Sequence, residues 1–367
     1  MKEVINFNDT PDKLLVDALQ LLKQLIAIPS FSKEENKTVD AIENFLKGKK
    51  IQTERYLNNV WAFNKYFDEK KITVLLNSHH DTVKPNAGYT NDPFCAFEKD
   101  GKLFGLGSND AGGPLVALIA AFVYFYEKEN LPFNLIIAAT AEEEISGHDG
   151  IEILLPRLPK IDCGIVGEPT SMEMAIAEKG LLVLDCIAHG VAGHAARNEG
   201  VNAVYKAMSD IHWFSRFQFE KTSPFLEPVH MAVTSISTQN KAHNIVPSEC
   251  SFVADIRVNE FYSFEDIISE VRKNTASEIM PRSTRLKPSF IEESHPLVIA
   301  GSGMGLTSYG SPTCSDRALM NFPTLKLGPG DSARSHSADE YIFIEEIKEG
   351  IGKYILLLQN FLKIIIK

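Results

Sequence analysis

The stretch FNLIIAATAEEEISG, residues 133–147, runs an apolar segment straight into three consecutive glutamates, Glu142, Glu143 and Glu144. A short apolar run rich in branched side chains reads as a buried strand. Acids crowded at its exit need a reason, and in open α/β sheets the ligand crevice lies beyond the carboxyl ends of the strands. Working outward, ITVLLNSHHD (72–81) and CGIVGEPT (163–170) are further short strands, while PDKLLVDALQLLKQLIAI (11–28), TVDAIENFLKGKK (38–50) and GPLVALIAAFVYFYEKE (113–129) are helical. Leu14, Leu15, Ala18, Leu21, Leu22 and Leu25 form one stripe of the first helix, and Val39, Ile42, Phe45 and Leu46 one of the second. This alternation gives an α/β layer with a mostly parallel sheet.

Between about 175 and 285 the rhythm changes. GLLVLDCIAHG (180–190), HMAVTSIS (230–237) and CSFVADIRV (250–258) read as strands, with NAVYKAMSDIHWF (202–214) and FEDIISEVRKN (264–274) as helices. Two helices on a small antiparallel sheet fit this insert. The α/β pattern resumes with FPTLKLGPG (322–330) and ends in a helix over 340–366. The expected organisation is therefore a discontinuous catalytic domain, 1–174 with 286–367, interrupted by an α+β domain at 175–285.

The 367 residues are 44% apolar, enough for two cores, and carry 37 Lys and Arg against 48 Asp and Glu. A net charge of −11 offers no global attraction to nucleic acid or an anionic membrane, so small molecules and cations are the expected partners. Five scattered cysteines without a C-x-x-C spacing argue against a disulfide framework or a thiolate metal site. The first residues, MKEVINFNDTPDK, lack an apolar leader run, and GPLVALIAAFVYF falls short of a membrane span, so a reducing, cytoplasmic setting is expected.

Candidate metal ligands stand at four strand ends. In SHHDTV, strand alternation places His79 and Asp81 on one side and His80 on the other, so Asp81 could hold one imidazole nitrogen while the other binds metal. A plain surface turn is the alternative. GLGSNDAGG puts Asp110 before a helix, either as a ligand or in an ordinary Asn-Asp turn; it lacks both G-x-G-x-x-G and a Walker lysine. Glu168 ends a strand before Pro169, where an acid is often merely solvated. His336 precedes Ser337 and Glu340, which could form an S-x-x-E box capping the last helix and so explain the segment's polarity without metal. Together these residues suit Zn²⁺ or a similar divalent ion. Beside two cations, crowded glutamates are stabilised: one binds metal, and its neighbour can accept a proton from water.

SHHDTV, GLGSNDAGG, TAEEEISG, VGEPT and GPGDSARSHSADEYI, in this order and with a strand-rich insert before the last, resemble the di-zinc hydrolases that include acetylornithine deacetylase, succinyl-diaminopimelate desuccinylase, aminoacylase and related carboxypeptidases. The resemblance spans nearly the whole chain, and residues 315–342 most resemble the acetylornithine deacetylase branch. It implies two Zn²⁺, replaceable by Co²⁺, bridged by Asp110, one held by His79 and Glu168 and the other by Glu144 and His336. It further implies Glu143 as general base, Asp81 as support for His79, Glu142 where an Asp is more usual, and a cis peptide after Asp110. The insert would be a lid that mediates homodimerisation. His194 in GVAGHAA would stabilise the oxyanion in a neighbouring subunit, unless it is only a polar loop histidine. Asn244 and Arg257, and more weakly Arg317, are candidates for gripping a substrate α-carboxylate, although Arg257 could equally pair with a neighbouring strand acid.

The implied function is hydrolysis of an N-acyl amino acid, foremost N-acetylornithine in arginine biosynthesis. N-succinylornithine, N-acetylcitrulline or a dipeptide would need the same chemistry with other pockets. A non-catalytic binding protein of this fold has no use for Glu143, and a nucleotide-binding protein lacks its phosphate signatures.

Overall fold

The computed structural model describes residues 10–366; the N-terminal stretch read above for a leader lies largely outside them. The chain divides into two compact units, the first running to Ile176 and including Ile291–Tyr309 and everything from Ser315, the second comprising Ala177–Phe290 and Gly310–Cys314. The sequence pattern gave no sign of that short return, because five residues leave no periodicity.

The first unit opens with α1 (Thr10–Ile26) and α2 (Asn36–Gly48), whose apolar stripes bury Ala18, Leu21, Leu22 and Leu25, and Val39, Ile42 and Leu46. Strand β1 (Asn59–Phe63) lies antiparallel to the strand carrying the opening stretch, while β2 (Ile72–His79) runs parallel to it. Helix α3 (Gly113–Tyr126) is apolar on every side and accordingly sunk in the core, with Leu115, Leu118, Ile119 and Phe122 buried. With the turn before it, Ser108–Tyr126 is long and apolar enough to cross a membrane, yet 83% of it is buried within the protein. Strand β3 (Phe133–Thr140) is buried throughout, and β4 (Cys163–Val166) lies parallel to β2 on its other side.

The second unit is the expected antiparallel sheet. Strand β5 (Gly180–His189) alternates buried and partly exposed residues and is followed by α4 (Ala203–Phe214), β6 (His230–Ser237) and β7 (Glu249–Val258). Helix α5 (Phe264–Asn274) starts in a reciprocal box between Ser263 and Asp266, and β8 (Glu278–Pro281), which sequence periodicity missed, completes the order β6-β7-β5-β8. Leu182, Leu184, Phe252, Ala254 and Ile256 meet Ala207, Phe214, Phe264, Ile267 and Val271 in one core, so both helices cover one face.

Returning to the first unit, β9 (Thr324–Lys326) pairs parallel with β4. The last helix, α6, spans Ile344–Ile365 and does not begin at 340. Tyr341–Phe343 is instead a strand paired with Lys102–Phe104, held by Phe104 against Tyr341 and by Lys102 Nζ 3.9 Å over the Tyr341 ring. The expected Ser337/Glu340 box is therefore not the cap: Phe343 N donates to Glu346 (3.0 Å), and Ser337 Oγ donates to the Arg334 carbonyl.

Candidate metal centre

Strands β2, β3 and β4 run parallel and β9 parallel to β4, so their carboxyl ends share one rim. His79 is the last residue of β2, Glu143 and Glu144 form one 3₁₀ turn just past β3, Glu168 follows β4, and His336 lies on the loop after β9. Asp110 sits in an irregular turn before α3, with φ −119° and ψ 100°, and the Asp110–Ala111 peptide is cis as expected.

These side chains converge. His79 Nε2 lies 3.3 Å from Asp110 Oδ1 and 3.9 Å from both Glu143 Oε2 and Glu168 Oε1. His336 Nε2 lies 2.9 Å from Glu144 Oε2 and 3.7 Å from Asp110 Oδ2. The two oxygens of Asp110 thus face different imidazoles, the disposition a bridging carboxylate needs. Ligand atoms of His79, Asp110 and Glu144, and of His79, Glu143 and Glu168, fall within 4.8 Å of one another. Both trios depart from the expected division of ligands: the first sets Glu144 beside His79, and the second keeps His79 with Glu168 but adds Glu143.

The residues fit divalent cations. His79 Nδ1 faces two acceptors, the Asp81 carbonyl at 3.0 Å and its carboxylate at 3.4 Å, so that nitrogen carries the proton. The buried Nε2 makes no hydrogen bond and faces the carboxylates of Asp110, Glu143 and Glu168, a donor set that suits a divalent cation. Burial pushes the Glu143 carboxyl well above its ordinary range; Glu168, Asp316 and Glu144 add to this while His79 opposes it. Burial also works against a charged His79, yet Asp110, Asp81 and the glutamates hold its pKa well above the usual value. The pocket therefore favours positive charge.

Asp81 does more than support His79. Its carboxylate accepts from the backbone N–H groups of Glu143 and Glu144, each at 3.1 Å, and from Ser32 Oγ at 2.7 Å. Replacing Asp81 by Ala should lower turnover and cation affinity together by about 10–100-fold. Steady-state kinetics alongside chelator competition checks this, and unchanged cation affinity would limit Asp81 to the glutamate turn.

The three glutamates separate by role. Glu142 is 6% exposed, has φ +57°, and turns away from the cluster to accept from Asp149 N, while its own N–H donates to Glu35. His80 is likewise structural: it is buried between Thr38 and the Asn58 carbonyl, and burial brings its pKa down to about 4.

The other candidates lie elsewhere. Arg317 is fully buried and donates to the Ala175 and Ile176 carbonyls and to Thr324 Oγ1, which leaves a substrate-binding role without support. In the second unit, exposed His194 accepts at Nδ1 from Ala196 N and pairs across strands with Ile245, next to Asn244. Arg257 is held by both oxygens of Asp255. Glu340 and Asn109 were missed. The only sequence signal for Glu340, the S-x-x-E spacing, pointed to a cap.

Residues 75–360 match the model of peptidase family M20/M25/M40. The chain is 28% identical over 378 residues to the acetylornithine deacetylase of Proteus mirabilis, covering 94% of this chain and 96% of that one. It is 27% identical over 279 residues to succinyl-diaminopimelate desuccinylase 2 of Ruegeria sp., covering 71% and 70%. A dinuclear metal-binding M20 peptidase of Bacillus subtilis has the same fold, with TM-score 0.71 at 11% identity over 95% of this chain and 98% of that one. With that match running from the strand that ends in His79 to the last helix, the chain belongs to peptidase family M20/M25/M40 and is a hydrolase of that family.

Proposed function

We propose that this hydrolase cleaves the amide bond of an N-acyl amino acid, with N-acetylornithine the foremost substrate and arginine biosynthesis the setting. The observation that carries this reading is Glu143 directed into a cluster of two imidazoles and three further carboxylates. The near full-length similarity to an acetylornithine deacetylase supports the substrate.

Two divalent cations, Zn²⁺ or Co²⁺, would polarise the amide carbonyl and acidify water in the cluster. His79 and Glu168 would hold one, Glu144 and His336 the other, with Asp110 between them. Glu143 takes a proton from the attacking water and returns it to the departing amine. His194 is proposed as a donor to the developing oxyanion, in trans within a homodimer formed through the second unit. Asn244 and Arg257 are proposed to receive the α-carboxylate; Nη1 of Arg257 is left over from the Asp255 fork. A fully active monomer in sedimentation would remove the role in trans. All five cysteines are free, which supports a reducing compartment such as the cytoplasm.

Desuccinylation of an N-succinyl diamino acid is the second reading, favoured by the relatives that carry that name. The deciding experiment is hydrolysis of N-acetylornithine, N-succinylornithine, N-acetylcitrulline, N-succinyl-diaminopimelate and a dipeptide by chelated and by Zn²⁺- or Co²⁺-restored protein. Metal-restored preference for N-acetylornithine is expected. Preference for a succinyl substrate would transfer the assignment, and dipeptide cleavage alone would make the enzyme a peptidase.

A further inference from the structure

The loops carrying Asp110 and His336 approach the cluster from different parts of the sequence, and one buried acid joins them. Glu340, 2% exposed, accepts at Oε1 from the backbone N–H groups of Asn109 (2.7 Å) and Asp110 (2.9 Å), and at Oε2 from that of Gly107 (3.0 Å). Its own carbonyl accepts from Gly105 N at 3.0 Å. Asn109 sews the same loops together one layer away: its Nδ2 donates to the Asp331 carbonyl and its Oδ1 accepts from Asp331 N, both at 3.1 Å. Glu340 is four residues beyond His336 and bonded to the N–H of Asp110 itself, so it fixes both ends of one span.

We propose that Glu340 is a positioning residue that sets the separation of Asp110 from His336, and so governs the affinity of the cation position those two share with Glu144 more strongly than that of the His79/Glu168 position, which shares only Asp110 with it. Three N–H donors converge on two carboxylate oxygens, a demand that only an acid of this length meets. A glutamine would turn an NH₂ toward buried N–H groups, and an aliphatic residue would leave all three unpaired. Glu340 acts through the backbone and touches no cation, so its effect is largest at the position for which its loops carry two ligands, Asp110 and His336, and smaller at the one that shares only Asp110. The inference rests on the two-cation reading above.

The test is titration of metal-free protein with Co²⁺ against a competing chelator, read by visible absorption, for wild type, Glu340→Gln, Glu340→Asp and Asn109→Ala. Wild type should take up two equivalents. Glu340→Gln should bind one equivalent about 10–100-fold more weakly, with an altered absorption band, and the other with a clearly smaller loss. The shorter Glu340→Asp should not rescue it. Asn109→Ala should weaken the same equivalent, and keeps the test alive if Glu340→Gln does not fold. Wild-type affinity at both positions, or equal weakening of both together with a lower unfolding temperature of the metal-free protein, would overturn the inference. A wild-type protein that takes up no second equivalent would overturn the two-cation reading beneath it, so the two failures are distinguished by the wild-type curve.

Discussion

Glu143→Gln should lower kcat by about 10²–10⁴-fold, the usual contribution of a positioned acid–base group, while leaving uptake of two cations intact. The substitution keeps the shape and one carbonyl oxygen but removes the group that accepts and returns a proton. Two outcomes would revise the assignment in different ways. Normal turnover would dismiss Glu143 as the base. A lost cation equivalent would make it a ligand, which its place beside His79 and Glu168 allows geometrically. Counting bound metal on the same sample as the kinetics separates these cases. Charge crowding also predicts that removing metal costs stability, since Glu143, Glu144, Glu168 and Asp110 then face one another with only two imidazoles between them.

The second large effect is on the fold. Arg317→Met should destabilise the first unit by about 1–3 kcal/mol, the penalty for leaving the Ala175 carbonyl without its guanidinium, because the Ile176 carbonyl keeps the Ile291 N–H at 2.9 Å. Methionine preserves length and apolar bulk, so most of the loss comes from the unsatisfied Ala175 acceptor and little from a cavity. The check is a denaturant midpoint with KM for the best substrate measured alongside. Lowered stability with KM unchanged fits the buried brace. A raised KM at wild-type stability would restore the expectation that Arg317 grips a carboxylate.

Arg317 also marks the limit of what a sequence tells. Nothing local distinguishes an arginine destined for a crevice from one folded beneath a strand, because the Ala175 and Ile176 carbonyls it serves are contributed by a strand some 140 positions away. Glu340 shows the same limit in reverse. Its spacing from Ser337 satisfied a capping rule, but in the strand at Lys102–Phe104 Tyr341 found the Phe104 ring and Phe343 the Lys102 ammonium, the helix start moved to Ile344, and the acid was left to bind the Asp110 loop.

By itself the sequence determined the α/β alternation, the antiparallel insert with its two helices, the positions of His79, Glu143, Glu144 and Glu168 at strand ends, and that of Asp110 just before a helix. Those features rest on periodicity and on the order of residues along one strand or turn, which are local. Only the tertiary structure decided which of three adjacent glutamates turns away, that Asp81 holds the glutamate turn as well as His79, that residues 310–314 rejoin the second unit, and that Glu340 and Asn109 clasp two loops. Each of these is a pairing between segments distant in the chain, fixed by which buried N–H and C=O groups remain to be satisfied once the sheet has formed.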